Sequence, residues 1–246
     1  MVKSRIGRIG SRLIAWSLVL MPVVTSAGEL GDFHSEVADA YAPYRSAMFY
    51  LRTGNPGVAT LELDAARQGW QAVVDRFAKN PPDAFADDTA FVETLASVQS
   101  AFDDGLSALD QGDADVAAKA LGPVRTSLAA LRQRNGLRTF SDCVDDMNAA
   151  MDRLWAFRHE PPAFDQPTEV NAVKREAAVT EFFYRRCHDQ ASADLKESAE
   201  FKRLFEGSLQ SLPLIFDALD QGSEGHLINI LRELRSFDRM IWLNYG

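Results

Sequence analysis

Apolar residues return every three or four positions along nearly the whole chain, a spacing that only an amphipathic helix turns into a continuous buried face. Tyr41, Tyr44, Met48 and Leu51 make one such stripe, and Ala66, Trp70, Val73 and Phe77 a second. Phe91, Leu95, Val98, Phe102, Leu106 and Leu109 make a third, and Leu121, Val124, Leu128 and Leu131 a fourth. Period-two alternation, the mark of a half-buried strand, is scarce. The expectation is an all-α protein of about eight helices arranged as up-down bundles.

Helix punctuation stands between the stripes. In "TGNPG", residues 53–57, Asn55 can cap a helix that Pro56 begins, since a first-turn proline lacks only an N–H that has no helical partner. In "DQGDAD", residues 110–115, Gly112 can end one helix and Asp113 cap the next. Residues 79–88 read as a proline-bearing connection, with Asp87 or Asp88 as the following cap. The second half repeats the plan. A helix over 140–158 is expected with Ser141 as cap, then a proline-rich connection, then a helix over 169–188 capped at Thr168. Ser198 begins another helix, with a kink or restart at Pro213, and the last helix starts near Ser223.

The two halves also share letters. "ALDQG" occurs at 108–112 and again at 218–222, each time closing a third helix and opening a fourth. In that register Phe91 matches Phe201, Leu121 matches Leu231, and Arg125 matches Arg235. The expected organisation is a first four-helix unit over 28–136 and a second over 137–246, each of a normal bundle size.

Residues 1–27 stand apart. Lys3, Arg5, Arg8 and Arg12 form a basic start, "LIAWSLVLMPVV" an apolar run, and "TSA" a small-residue cleavage site, the plan of a secretory signal peptide cut after Ala27. Periplasmic or secreted localisation follows as an expectation. Cleavage would shift the formal net charge from −9 to −13. So acidic a chain is a poor match for nucleic acid, whose phosphates demand a positive surface. No second run is long enough to span a membrane.

Only two cysteines are present, Cys143 and Cys187. In an oxidising compartment such a pair usually joins. Cys143 lies near the start of one helix and Cys187 near the end of the next, and antiparallel packing brings those ends together. A structural disulfide between them is the expectation. The alternative is a soft-metal site, for which Cys143, Met147, Met151, Cys187 and His188 supply thiolate, thioether and imidazole, a donor set suited to Cu(I). His34, His159 and His226 stand alone and read as solvated.

The sequence "RRCH", residues 185–188, ends on the last two letters of the Cys-x-x-Cys-His haem attachment motif. With its helical periodicity, signal peptide and "QGD" turn, the chain resembles the cytochrome c-prime and c556 family. That resemblance implies a four-helix bundle in each half. Tyr184 stands where the first cysteine of the motif would be, and the pair sits on the second helix of its unit, so the resemblance implies the bundle shape more than a bound haem. No cofactor is assigned, with copper or haem as the alternatives.

Two aromatic and arginine-rich stretches, residues 40–57 and 234–246, could offer an interaction surface through Tyr44, Arg45, Arg52, Arg235 and Arg239, since tyrosine and arginine dominate binding hot spots. The same aromatics keep helical spacing and could instead fill the core. No nucleophile elbow, phosphate loop or catalytic carboxylate pair is present. The reading is a non-enzymatic exported binding or accessory protein, with an unidentified periplasmic protein or small ligand as its partner.

Overall fold

The computed structural model describes residues 26–246, and the expected signal peptide lies outside them but for Ser26 and Ala27. Every regular element among the described residues is helical. The helices are α1 (Ser26–Arg52), α2 (Pro56–Phe77), α3 (Phe91–Asp110), α4 (Ala114–Leu121), α5 (Pro123–Arg134), α6 (Phe140–Trp155), α7 (Pro167–Gln190), α8 (Ala193–Glu197), α9 (Ala199–Ser211), α10 (Leu214–Asp220) and α11 (Glu224–Tyr245). Short 3-10 turns at Asp83–Phe85 and Ala156–Arg158 complete the chain.

The cap chemistry accounts for most of the boundaries. Asn55 Oδ1 accepts from Val58 N, and Pro56 opens α2 as expected. Asp113 Oδ1 accepts from Val116 N at 3.0 Å, and Ser198 Oγ from Phe201 N. Three expected caps are displaced. Ala90 and not Asp87 or Asp88 precedes α3, although Asp88 Oδ1 accepts the Ala90 N–H at 3.0 Å. Helix α6 is capped by Thr139 and not Ser141, because Asp142 reaches back to accept the Thr139 N–H at 2.7 Å. Helix α7 begins at Pro167, with Gln166 and not Thr168 before it, since the proline ring presets the first helical φ.

Proline also divides two helices. Gly122 keeps helical angles (φ −50°, ψ −42°), and Pro123 follows without an N–H for the carbonyl four residues back, so α4 and α5 are two arms of one bent helix. Pro213 does the same between α9 and α10, the restart expected there. The two "ALDQG" turns have one geometry. Gly112 and Gly222 take φ +78° and +64°, and the residue after each donates its N–H to the carbonyl of Ala108 or Ala218 at 2.9 Å, closing the helix in a left-handed cap.

Helices α1, α2, α3 and α4 pack on one another, as do α6, α7, α9 and α11. Helix α11 also lies against α1. One continuous buried apolar cluster runs through both groups, from Phe33, Trp70 and Phe102 to Phe205, Leu231 and Trp242. A single core therefore serves all the described helices. Trp70 Nε1 donates to Leu95 O at 2.9 Å and ties α2 to α3. The matched positions 91/201, 95/205, 121/231 and 124/234 are all buried. Position 128/238 is the exception in kind: Leu128 is buried as a leucine, and Asp238, at 2% exposure, is buried as a carboxylate.

The candidate cleft and the buried network beside it

The first group of helices, with α5 packed on α3, meets the second group along two seams. At the first, Arg45 reaches the last turn of α11. Its Nε donates to Leu243 O at 2.9 Å, and the rest of the guanidinium donates to Asn244 O and Gly246 O. A cation at a helix C-terminus offsets the partial negative charge of its unpaired carbonyls. Two turns further along α1, Arg52 lies over the ring of Trp242 at 5.4 Å.

Beside the Arg45 seam a cleft of about 350 Å³ opens between α1, α5, the start of α6, α8 and the end of α11. Val37, Tyr41, Leu128, Phe140, Leu195 and Tyr245 give it apolar walls. The polar groups are few: His34, Arg45 and Arg132, with the hydroxyls of Thr139 and Ser141 and the Asn244 amide. No aspartate or glutamate lines it, although the chain carries 35 of them. Size and lining fall in the range of small-molecule pockets, at the smaller end.

Arg132 is the buried charge of this cleft, at 8% exposure. Asp142 holds it through Nε and Nη2, at 2.6 to 3.0 Å. Burial opposes ionisation of Asp142, but the Arg132 guanidinium and the Thr139 N–H outweigh it and hold the carboxyl below its usual range. Burial, and then the nearby Arg132 charge, pushes His34 down, so the ring is neutral at pH 7. His34 Nε2 is buried with no hydrogen-bond partner among the described residues.

The second seam is a chain of buried and half-buried polar side chains behind the cleft. Arg125 on α5 pairs with Asp145 on α6, and its Nη2 donates to Asn148 Oδ1 at 2.8 Å. Asn148 Nδ2 donates to Asp238 Oδ1 at 2.5 Å, and Tyr184 OH donates to the same oxygen at 3.3 Å. Arg235 Nη1 bonds Asp238 Oδ2 at 2.9 Å and Asp152 Oδ1 at 2.7 Å. Burial raises the Asp238 carboxyl, and raises the Tyr184 phenol still further from solution behaviour. The network joins α5, α6, α7 and α11, with Asn148, Tyr184 and Asp238 buried at its centre and Asp152 exposed at its edge, and it fixes one arrangement of helices.

The sequence-derived residues fall as follows. Cys143 and Cys187 form the expected disulfide, Cα to Cα 5.6 Å, joining α6 to α7. That bond consumes both thiolates on which the soft-metal alternative depended. Met147 and Met151 are wholly buried core residues on the same face of α6. His188 stacks on Phe201 with ring centroids 5.9 Å apart. Tyr184, at the position of the absent haem-motif cysteine, is a core residue committed to Asp238.

The interaction-surface assignment needs correction. Tyr44 is buried at 2% exposure, and its hydroxyl donates to Leu121 O at 3.2 Å, at the bend between α4 and α5. Arg45 and Arg235 are committed to internal partners, because the stripes that carry them face the seam between helix groups. Arg52 and Arg239 are exposed, with Arg52 over Trp242. Histidines 159 and 226 are exposed as expected, whereas His34 is half-buried in the cleft wall.

Sequence reasoning passed over Arg132, Asp142, Asn148 and Asp238. A signal existed for Asp238: it stands four residues after Leu234 and three before Ile241, inside the apolar stripe of α11. No protein-family model, curated protein or solved structure matches the chain.

Proposed function

We propose that the protein is exported and binds a small ligand in the cleft where α1 meets α5, α6 and α11, without performing chemistry on it. The observation that supports this is the cleft itself. It is an apolar cavity of ligand size, edged by a few polar groups. The disulfide and the buried network hold its walls in place, as a binding site needs rigid support. The signal-like N-terminus and the disulfide both suit an oxidising compartment. The matched "ALDQG" turns support reading the chain as two related four-helix units, with the cleft at their junction.

The test is a methyl and aromatic NMR titration of the secreted, signal-cleaved protein with a panel of small apolar and amphipathic molecules. Shifts confined to Val37, Leu128, Phe140 and Leu195 are expected. A panel that leaves those signals unmoved, or that moves signals on another face, rejects the cleft as the binding site.

A further inference from the structure

The polar end of the cleft has a definite chemistry. Arg132 donates to Asp142 through one edge of its guanidinium only, leaving Nη1 with no hydrogen-bond partner among the described residues. That nitrogen is not closed off from solvent, so a ligand acceptor can take the place of water on it. Arg132 lines the cleft, so the space open to that nitrogen is the cleft's own.

The same end of the cleft holds the start of α6. Phe140 and Ser141 line the cavity and occupy the first two helical positions. Backbone N–H groups there have no preceding carbonyl to bond, and they carry the positive end of the helix dipole. Helix α6 is 16 residues long, enough to develop that dipole. Asp142 at the third position offsets part of it, but this carboxylate is already engaged by Arg132 and Thr139.

Arg45 adds a second positive charge to the lining, its N–H groups already given to the carbonyls of Leu243, Asn244 and Gly246, and most of the remaining walls are aliphatic or aromatic. A neutral apolar molecule would displace water from Arg132 Nη1 and the first N–H groups of α6 without replacing its hydrogen bonds. A large polar one would strand its polar groups against Val37, Leu128 and Leu195. The group that suits both parts is an acid on a short apolar body.

We infer that the cleft takes a small carboxylate-headed amphiphile, its head on Arg132 Nη1 and the N-terminus of α6, its tail against Leu128, Phe140 and Leu195. This rests on the proposed binding role of the cleft and names the ligand class for it. The guanidinium supplies charge-assisted hydrogen bonds, which are about twice as strong as neutral ones. His34, neutral and adjacent, tolerates the tail and adds no competing charge.

Decanoate and decanol, which share a tail length and differ in the head, separate the two levels of the argument. Each is titrated into the signal-cleaved protein by calorimetry and by methyl NMR, below its self-association concentration. Decanoate is expected to bind at least tenfold more tightly than decanol and to shift Leu128 and Leu195. In R132Q most of that preference should be lost, with the decanol affinity unchanged, and an undiminished preference would overturn the role of Arg132. Equal binding of the two by the wild-type protein would overturn the acid assignment while leaving a working cleft. Binding of neither would overturn the cleft reading itself. Should R132Q fail to fold, the wild-type comparison decides alone, with 13C-carboxyl-labelled decanoate added. A carboxyl shift on binding that moves with displacement of Leu128 signals is the supporting result, and a carboxyl signal unchanged from bulk water is the contrary one.

Discussion

Asn148 donates to Asp238 across 90 positions of sequence, Nδ2 to Oδ1 at 2.5 Å, and both residues are buried. The amide also accepts from Arg125, so one side chain satisfies a cation from α5 and an anion from α11. Asn148→Ala removes both partners at once and leaves a buried carboxylate short of a donor. A loss of about 2–3 kcal/mol is expected in urea unfolding. A change below about 0.5 kcal/mol would mean that water or rearrangement replaces the amide, and that the network does not fix the helix arrangement.

Two carboxylates give opposite pH signatures. Asp142 is held below its ordinary value of 3.8, so it stabilises the fold above that value and the benefit is lost as pH falls through its lower folded value. Asp238 is raised above 3.8 by burial, so the folded state binds its proton more tightly. Its contribution therefore falls as pH rises from 3.8 through the raised folded value, and the penalty is complete above it. Asp142→Asn should destabilise at pH 7 by about 3 kcal/mol and converge on wild type on acidification. Asp238→Asn should remove the opposing slope. Stability curves from pH 2 to 8 measure both, and a D142N deficit that persists unchanged at pH 2 contradicts the assignment.

The Cys143–Cys187 disulfide spans a sequence separation of 44. In the loop-entropy description a closure of that length stabilises by about 3–4 kcal/mol. The double variant Cys143→Ala, Cys187→Ala is expected to lose that amount and to keep its helical circular dichroism. Because the bond joins α6 to α7, hydrogen exchange should quicken first at the Cys143 end of α6 and the Cys187 end of α7. Uniform exchange along both helices would mean that their packing alone holds the pair together.

Gly112 and Gly222 both require positive φ, and an added Cβ would meet at most one atom, Phe164 Cβ at 3.9 Å from the Gly222 position. The cost of Gly→Ala at either site is thus conformational and not steric. G112A and G222A should each lose about 1–2 kcal/mol by thermal or urea unfolding. Losses differing by more than twofold would show that the two turns, alike in angles, are under different strain.

The three- and four-residue spacing made the helices legible, because every helix of any length buries one face. The disulfide followed from cysteine number and antiparallel order. The bend at Pro123 escaped notice because Leu121, Val124, Leu128 and Leu131 keep helical phase across it. The five residues of α8 carry too short a stripe to announce themselves. The cleft was illegible for a different reason: His34, Arg132, Phe140 and Leu195 come from four separate segments, and only the packing of α1 on α11 brings them together. Tyr44 and Arg45 illustrate the limit most plainly. Their types suited a binding surface, yet the helix phase that carries them points them into the seam.

The bond from Arg45 to Leu243 links positions 198 apart. Contacts so remote in sequence form slowly, since the chain must lose most of its freedom before they offer anything in return. Helix α1 can settle on α2 as soon as both exist, but its other flank, Arg45 included, has to wait for α11, nearly 200 positions later. Closure of the core is accordingly gated by the arrival of α11. Until it arrives, the core that runs through both halves stays open along one side.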